Sequence, residues 1–219
     1  MLMNLLGGGD IRAWLIQILL SLPIVILALC VHETAHGFVA DRLGDPTAKN
    51  LGRLSLNPLK HLDPIGFLCM LLFGFGWAKP VPINTRYFKK PKRDMALSAL
   101  AGPVSNLLLA VVFALLLKMH FTFFIRWLDP MTVSIVYLFL VLGIRLNVTL
   151  AVFNLIPIPP LDGSRILLLF LPAQTYFKIM RYERYLSIGL MLALALGLLD
   201  LPINLVSNFF IRLIERLIL

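Results

Sequence analysis

Three polar residues stand together at the end of a long apolar stretch near the start of the chain. In the segment HETAH, His32 and His36 lie on either side of Glu33. Residues four apart lie on one face of a helix, so the two imidazoles can bind the same metal ion. Glu33 is then close enough to act on a water molecule bound to that ion. The spacing predicts a metal site with His32 and His36 as ligands and with Glu33 close to the bound water.

The alternative is that the helix has already reached the lipid headgroups, where His and Glu are ordinary residues. The first basic residue after the motif is Arg42, and the residues between, GFVA and Asp41, are mostly apolar. With a rise of 1.5 Å per residue, His32 lies about 15 Å deeper than Arg42. An unpaired Glu at that depth is energetically costly, so the depth of the motif favours a metal site.

A site with two histidines needs a third protein ligand and leaves the fourth position to water. His61, Asp63 and Asp94 are candidates in or beside a basic loop, and Asp162 is a fourth candidate in the segment NLIPIPPLDG. The prolines break the helix there, and broken backbone at membrane depth is tolerated only where it is buried or lines a cavity. Asp-Gly is more commonly a turn, but a metal that lacks one ligand favours Asp162.

The composition is that of an integral membrane protein. Of the 219 residues, 59% are hydrophobic and 14% are charged, whereas a soluble domain carries about 25% charged residues. The net charge of +9 is explained by basic cytoplasmic loops. We therefore expect the lipid bilayer as a partner and no nucleic acid.

Four segments approach the roughly 20 apolar residues that a spanning helix needs. They are residues 13–31, 95–117, 131–156 and 185–199. Two shorter apolar pieces, 64–78 and 166–177, are expected to be re-entrant or interfacial. Residues 42–93 contain ten Lys and Arg, and a re-entrant 64–78 keeps all of them on one side, which the positive-inside rule makes the cytoplasm.

The predicted fold is an all-α polytopic membrane protein with about four full spans and short re-entrant or interfacial helices. The alternating prolines near 77–84 predict a small β-hairpin, an edge strand or a loop. We expect one intramembrane domain over 1–219, with its core at 13–171 and a C-terminal span and amphipathic tail at 185–219. Arg145, inside the third span, is expected to pair with an acidic group or backbone carbonyls.

Three motifs together resemble those of the site-2 proteases, the intramembrane zinc metalloproteases that cut transmembrane segments. HETAH, AGPVSN and NLIPIPPLDG occur in the family's order over about 130 residues. The resemblance implies that His32, His36 and Asp162 bind one zinc ion and that Glu33 is the catalytic base. It also implies that Asn154 supports the substrate or the developing oxyanion.

The resemblance is to the compact bacterial form, which consists of the catalytic core without extra soluble domains. It implies an endopeptidase in the cell membrane, open toward the cytoplasm, whose partners are transmembrane protein or peptide substrates. A membrane metal transporter and a non-catalytic, helix-binding scaffold are the alternatives. Transporters commonly show broken helices in corresponding halves, and the sequence has no such repeat. An intact ligand set argues against the scaffold.

Overall fold

The computed structural model describes residues 11–73 and 76–219. In these two ranges the chain forms nine α-helices and no strand, which confirms the all-α class. The helices are α1 Ile11–Arg42, α2 Thr47–Asn50, α3 Pro64–Phe73, α4 Pro91–Met119, α5 Pro130–Asn154, α6 Asp162–Leu167, α7 Ala173–Arg181, α8 Glu183–Ala195 and α9 Asp200–Ile218. Two 3-10 turns, Pro58–Lys60 and Thr85–Tyr87, lie between them, and a π-helical turn, His120–Phe124, continues α4.

Three of the described helices are long and apolar enough to cross a bilayer. They are Leu15–Arg42, Pro91–Phe124 and Pro130–Asn154, and they correspond to the predicted spans at 13–31, 95–117 and 131–156. The first helix continues well past its predicted end, so HETAH lies inside α1. A motif that lies deeper in the membrane than Arg42 requires such a continuation of the helix.

The structure does not form the fourth predicted span, 185–199, as one continuous helix. Helix α8 ends at Ala195, and α9 begins at Asp200 after a bend of 80°. Gly197 lies in the bend with a φ of 70°, in the left-handed region that glycine adopts at little cost. An apolar stretch of suitable length does not reveal such a bend.

The hairpin or edge strand predicted near 77–84 is not formed. The described part of this region has one isolated antiparallel bridge, between Leu62 and Ala78, and is otherwise irregular. Pro80 and Pro82 lack the N–H group that a strand donates to its neighbour. The pairing therefore stops after a single bridge.

Helix α3 covers residues 64–73 of the short apolar piece at 64–78. Its ten residues span about 15 Å, half of the roughly 30 Å hydrocarbon core of a bilayer. The helix by itself is therefore too short to cross.

Helices α1, α4 and α5 pack against one another and form the centre of the molecule. Small residues let the backbones of membrane helices approach closely, and the buried positions here include Ala28, Ala99, Ala110, Ala114 and Ala151. Helix α9 covers one side of this core with Ile203, Ile211 and Ile214. Five polar residues of the three central helices are buried in the region described next: His32, His36, Ser98, Asn106 and Asn147.

Candidate metal centre

His32 and His36 lie one turn apart on the inward face of α1. Each residue is 5% exposed. The ring centroids are 4.5 Å apart and the rings are nearly perpendicular, which brings the two Nε2 atoms to 3.0 Å. Helix geometry alone thus directs both nitrogens to one point.

Asp162 reaches the same point from α6, of which it is the first residue. It is 7% exposed, and its Oδ2 lies 3.1 Å from the Nε2 atoms of His32 and His36. Gly163 makes this approach possible, because a Cβ at that position would collide with the backbone carbonyl of Leu155. The proline-containing break and the glycine together fold the chain back onto α1.

The three atoms are spaced as the ligands of one tetrahedral metal ion would be. They are 3.0 to 3.1 Å apart, and ligands at 2.0–2.1 Å from a tetrahedral zinc ion lie about 3.3 Å apart. The Asp162 carboxylate and the two imidazole nitrogens are the donor types that zinc binds in proteins.

The other ring nitrogens determine which tautomers the histidines adopt. His36 Nδ1 is 2.7 Å from the carbonyl oxygen of Ser98, and His32 Nδ1 is 2.6 Å from Asn106 Oδ1. Both oxygens are acceptors, so each Nδ1 carries the proton and each Nε2 of a neutral ring has a free lone pair. The Nε2 lone pairs of the two rings and the Asp162 oxygen then face one another with no hydrogen between them. Such a group of electron-rich atoms is stabilised by a cation. The donor set fits zinc.

Helix α4 closes the other side of the cluster. A Cβ at Gly102 would lie 2.5 Å from His36 Nε2 and 2.6 Å from His32 Cε1, so glycine is what allows α4 to touch both rings. The Ser98 hydroxyl donates to the His36 carbonyl at 3.0 Å. Helices α1 and α4 are thus joined directly at His36, one of the predicted ligands.

Glu33 lies beside the cluster and has its own partner. Its Oε2 accepts a hydrogen bond from the Val81 N–H at 2.8 Å. Pro80 and Pro82 have no N–H, so Val81 is the one donor of this three-residue stretch. Arg53 Nη2 donates to two carbonyls of the same loop, at 2.8 and 3.3 Å. The loop therefore fixes one carboxylate oxygen of the predicted base.

The structure places Asn154 at the last position of α5, eight residues before Asp162. It is partly buried, and its Nδ2 donates to the Leu150 carbonyl at 3.0 Å. The predicted role of Asn154 at the oxyanion stays a prediction.

The other candidates for the third ligand are bound elsewhere. His61 Nε2 faces the Ser55 carbonyl at 2.5 Å, the Asp63 carboxylate accepts from the Gly66 N–H, and the Asp94 carboxylate accepts from the Lys90 N–H and pairs with Arg93. Within 11–73 and 76–219, the one group of three metal-ligating side chains is His32, His36 and Asp162.

One buried asparagine, Asn106, contacts His32, and a second, Asn147, contacts Asn106, although no ligand motif identifies them. Asn106 in α4 and Asn147 in α5 are both 0% exposed. The available signal is an amide in the interior of an otherwise apolar span, because such a group has to find hydrogen-bond partners between helices. The sequence does not reveal which partners these are.

Arg145 does not form the predicted pair. It lies exposed on α5, and the described part of the chain gives it no hydrogen bond and no ion pair. Its surroundings are thus unlike those of Asn147, two residues further along.

Comparison with known proteins finds metalloproteases. Residues 124–198 match the model described as Peptidase family M50. The chain is 46% identical over 162 residues to "Putative zinc metalloprotease YwhC" of Bacillus subtilis, covering 74% of this chain and 73% of that protein. It is 38% identical over 144 residues to "Putative zinc metalloprotease Rip2" of Mycolicibacterium smegmatis, covering 63% of this chain and 52% of the relative. No solved structure matches the chain.

Proposed function

We propose that this chain, which belongs to Peptidase family M50 and is a zinc metalloprotease, hydrolyses peptide bonds within or next to the transmembrane segments of membrane proteins. The observation that carries the proposal is the convergence of His32, His36 and Asp162 between apolar, membrane-spanning helices. A site built among such helices favours substrates that arrive through the bilayer. Membership of a family of zinc metalloproteases argues against the alternatives of a metal transporter and a non-catalytic scaffold.

The zinc would be held by His32 Nε2, His36 Nε2 and Asp162 Oδ2. When bound, it supplies a Lewis acid that polarises the scissile carbonyl and lowers the pKa of water from 15.7 toward about 7. The chain has to supply the proton transfers, the orientation of the reacting groups and a site shielded from lipid.

Glu33 would perform the proton transfers. Its carboxylate removes a proton from the water that attacks the carbonyl carbon, and then delivers that proton to the nitrogen of the leaving amine as the C–N bond breaks. The Val81 N–H fixes one carboxylate oxygen, which leaves the other free to face the water. Asn154 would donate to the developing oxyanion after its amide turns away from the Leu150 carbonyl.

The remaining topology is part of the same proposal. We place the basic loops between α1 and α4 in the cytoplasm, following the positive-inside rule. The bent pair α8 and α9 then forms one broken span, and the site opens toward the cytoplasmic side, from which water can enter. The protein would be a multi-pass component of a bacterial cell membrane.

The test is Glu33→Gln in the purified chain, incubated with a panel of single-span peptides in proteoliposomes. Cleavage, followed by mass spectrometry, should fall by on the order of 10²- to 10⁴-fold. Zinc content should stay at one ion per chain, because Glu33 is not a ligand. The exposed residue Glu215 of α9 offers a matched control, and Glu215→Gln should leave cleavage and zinc content unchanged.

Cleavage by the Glu33→Gln variant at the wild-type rate would refute the assigned base. A wild-type chain that cuts soluble peptides but none of the membrane-embedded ones would refute the proposed substrate class while leaving the chemistry intact. The two parts of the proposal can therefore fail separately.

A further inference from the structure

We infer that Asn147 is a positioning residue for the zinc ligand His32 and that it acts through Asn106. The inference rests on the zinc site of the proposed function. Asn147 belongs to α5, Asn106 to α4 and His32 to α1, so the three side chains connect the three central helices. None of the three sequence motifs contains Asn147.

The hydrogen bonds run in one direction from the backbone of α5 to the imidazole. Asn147 Nδ2 donates to the Gly143 carbonyl at 2.8 Å, so Asn147 Oδ1 is left to accept. Asn106 Nδ2 donates to that oxygen at 3.2 Å and to the Ala28 carbonyl at 3.2 Å. Asn106 Oδ1 then faces His32 Nδ1 at 2.6 Å.

The direction matters because an amide can turn over and a backbone carbonyl cannot. His36 is held by the carbonyl of Ser98, which accepts in every conformation. His32 is held by the amide of Asn106, and a turned amide would present an N–H to His32 Nδ1. The proton of His32 would then move to Nε2 and remove the lone pair that binds zinc.

Asn147 opposes this reversal. A turned Asn106 would place its Oδ1 against two other oxygens, Asn147 Oδ1 and the Ala28 carbonyl. All these groups are shielded from water, since Asn106 and Asn147 are 0% exposed, and unpaired buried polar atoms are costly. Asn147 therefore keeps His32 in the tautomer that can bind a metal, and it does so without placing a charge in the membrane.

The first experiment compares Asn147→Leu with wild-type protein by competition against a zinc chelator. Zinc affinity should fall by roughly 10- to 100-fold, as it does when outer-shell partners of metal ligands are removed. Val148→Ala is the matched control, because Val148 is the next residue of α5 and is also 0% exposed. That variant loses packing but no hydrogen bond, and its zinc affinity should equal that of the wild type.

A second pair of variants separates positioning from structure. In Asn106→Asp, either carboxylate oxygen can accept from His32 Nδ1, so the type of atom that faces this ring no longer depends on Asn147. Adding Asn147→Leu to that background should change zinc affinity by less than about threefold. An equal loss in both backgrounds would overturn the inference, as would an unchanged affinity of Asn147→Leu in a folded protein.

The tautomer can also be read without zinc. ¹⁵N chemical shifts of the metal-free protein should show one neutral tautomer of His32, protonated on Nδ1, in the wild type. In Asn147→Leu they should show a mixture of the Nδ1–H and Nε2–H tautomers. This measurement distinguishes the two proposals. A wild-type chain that binds no zinc would contradict the proposed function, whereas a His32 tautomer that is unaffected by Asn147→Leu would contradict the positioning role.

Discussion

Asn147 and Arg145 are two residues apart on α5, and both are polar groups in a membrane-spanning helix, yet their environments are opposite. Asn147 is fully buried and both atoms of its amide are hydrogen bonded across or along the helices. Arg145 is exposed and has no partner in the described part of the chain. Polar residues inside membranes are by default candidates for function, but the comparison shows that the direction in which a side chain points decides what it can do.

The inward side, in which α1, α4, α5 and α6 contact one another, is where we expect the largest effects. Asp162→Ala removes one of three ligands and leaves two histidines facing a gap. Zinc affinity should fall by more than about 100-fold, beyond the loss that is typical of outer-shell changes, and peptidase activity should fall with it. Metal analysis and the cleavage assay together measure this.

Asp129→Ala provides the matched control for that prediction. Asp129 caps the start of α5, at the other end of the helix from Asn154, by accepting from the Met131 and Thr132 N–H groups. Its loss should weaken the helix start and leave the zinc content at wild-type level. Full zinc content in Asp162→Ala would remove Asp162 from the ligand set.

How much of the site could be predicted depends on how local each relationship is. His32, Glu33 and His36 lie within four positions of one another on one helix, so the sequence determines their relative placement. Asp162 is 130 positions from His32 and was found because a metal with two ligands needs a third. The partners of Asn106 and Asn147 depend on the rotation of three helices about their axes, which no spacing reveals.

In the fold, too, features set by local length could be predicted and features set by helix direction could not. Three of the four spans predicted from apolar length correspond to long apolar helices, because bilayer thickness fixes the length of a helix that crosses it. The bend at Gly197 was missed because length does not report a change of direction. The prediction of a hairpin or edge strand near 77–84 was wrong, because Val81, which lies between two prolines, donates its N–H to Glu33 and not to a neighbouring strand.

A second prediction tests how closely the inward side is packed. Gly102→Ala adds a methyl group that would lie 2.5 Å from His36 Nε2, so α4 has to move away from both rings. We expect zinc affinity to fall by on the order of 10-fold, through displaced ligands. Chelator competition measures the loss.

Gly189 supplies the control on a helix that does not contact the site. A Cβ at Gly189 meets no atom within 4 Å. Gly189→Ala should therefore leave zinc affinity unchanged and stabilise α8 by up to about 1 kcal/mol, the helix-propensity difference between the two residues. Equal zinc affinity in the two alanine variants would show that α4 is not held against the histidines.

The outward side should give the smallest effect on the metal, and Arg145→Leu tests this. The substitution removes a charge whose cost near the centre of a spanning helix is about 2.5–3.5 kcal/mol on insertion scales. We expect a higher midpoint of thermal unfolding and unchanged zinc affinity, with Arg145→Lys close to the wild type in both. A fall in zinc affinity would mean that Arg145 acts on the inward network through its neighbour Asn147, and the two sides of α5 would then be one functional unit. An unchanged affinity, set beside a loss in Asn147→Leu, would separate them at a distance of two residues.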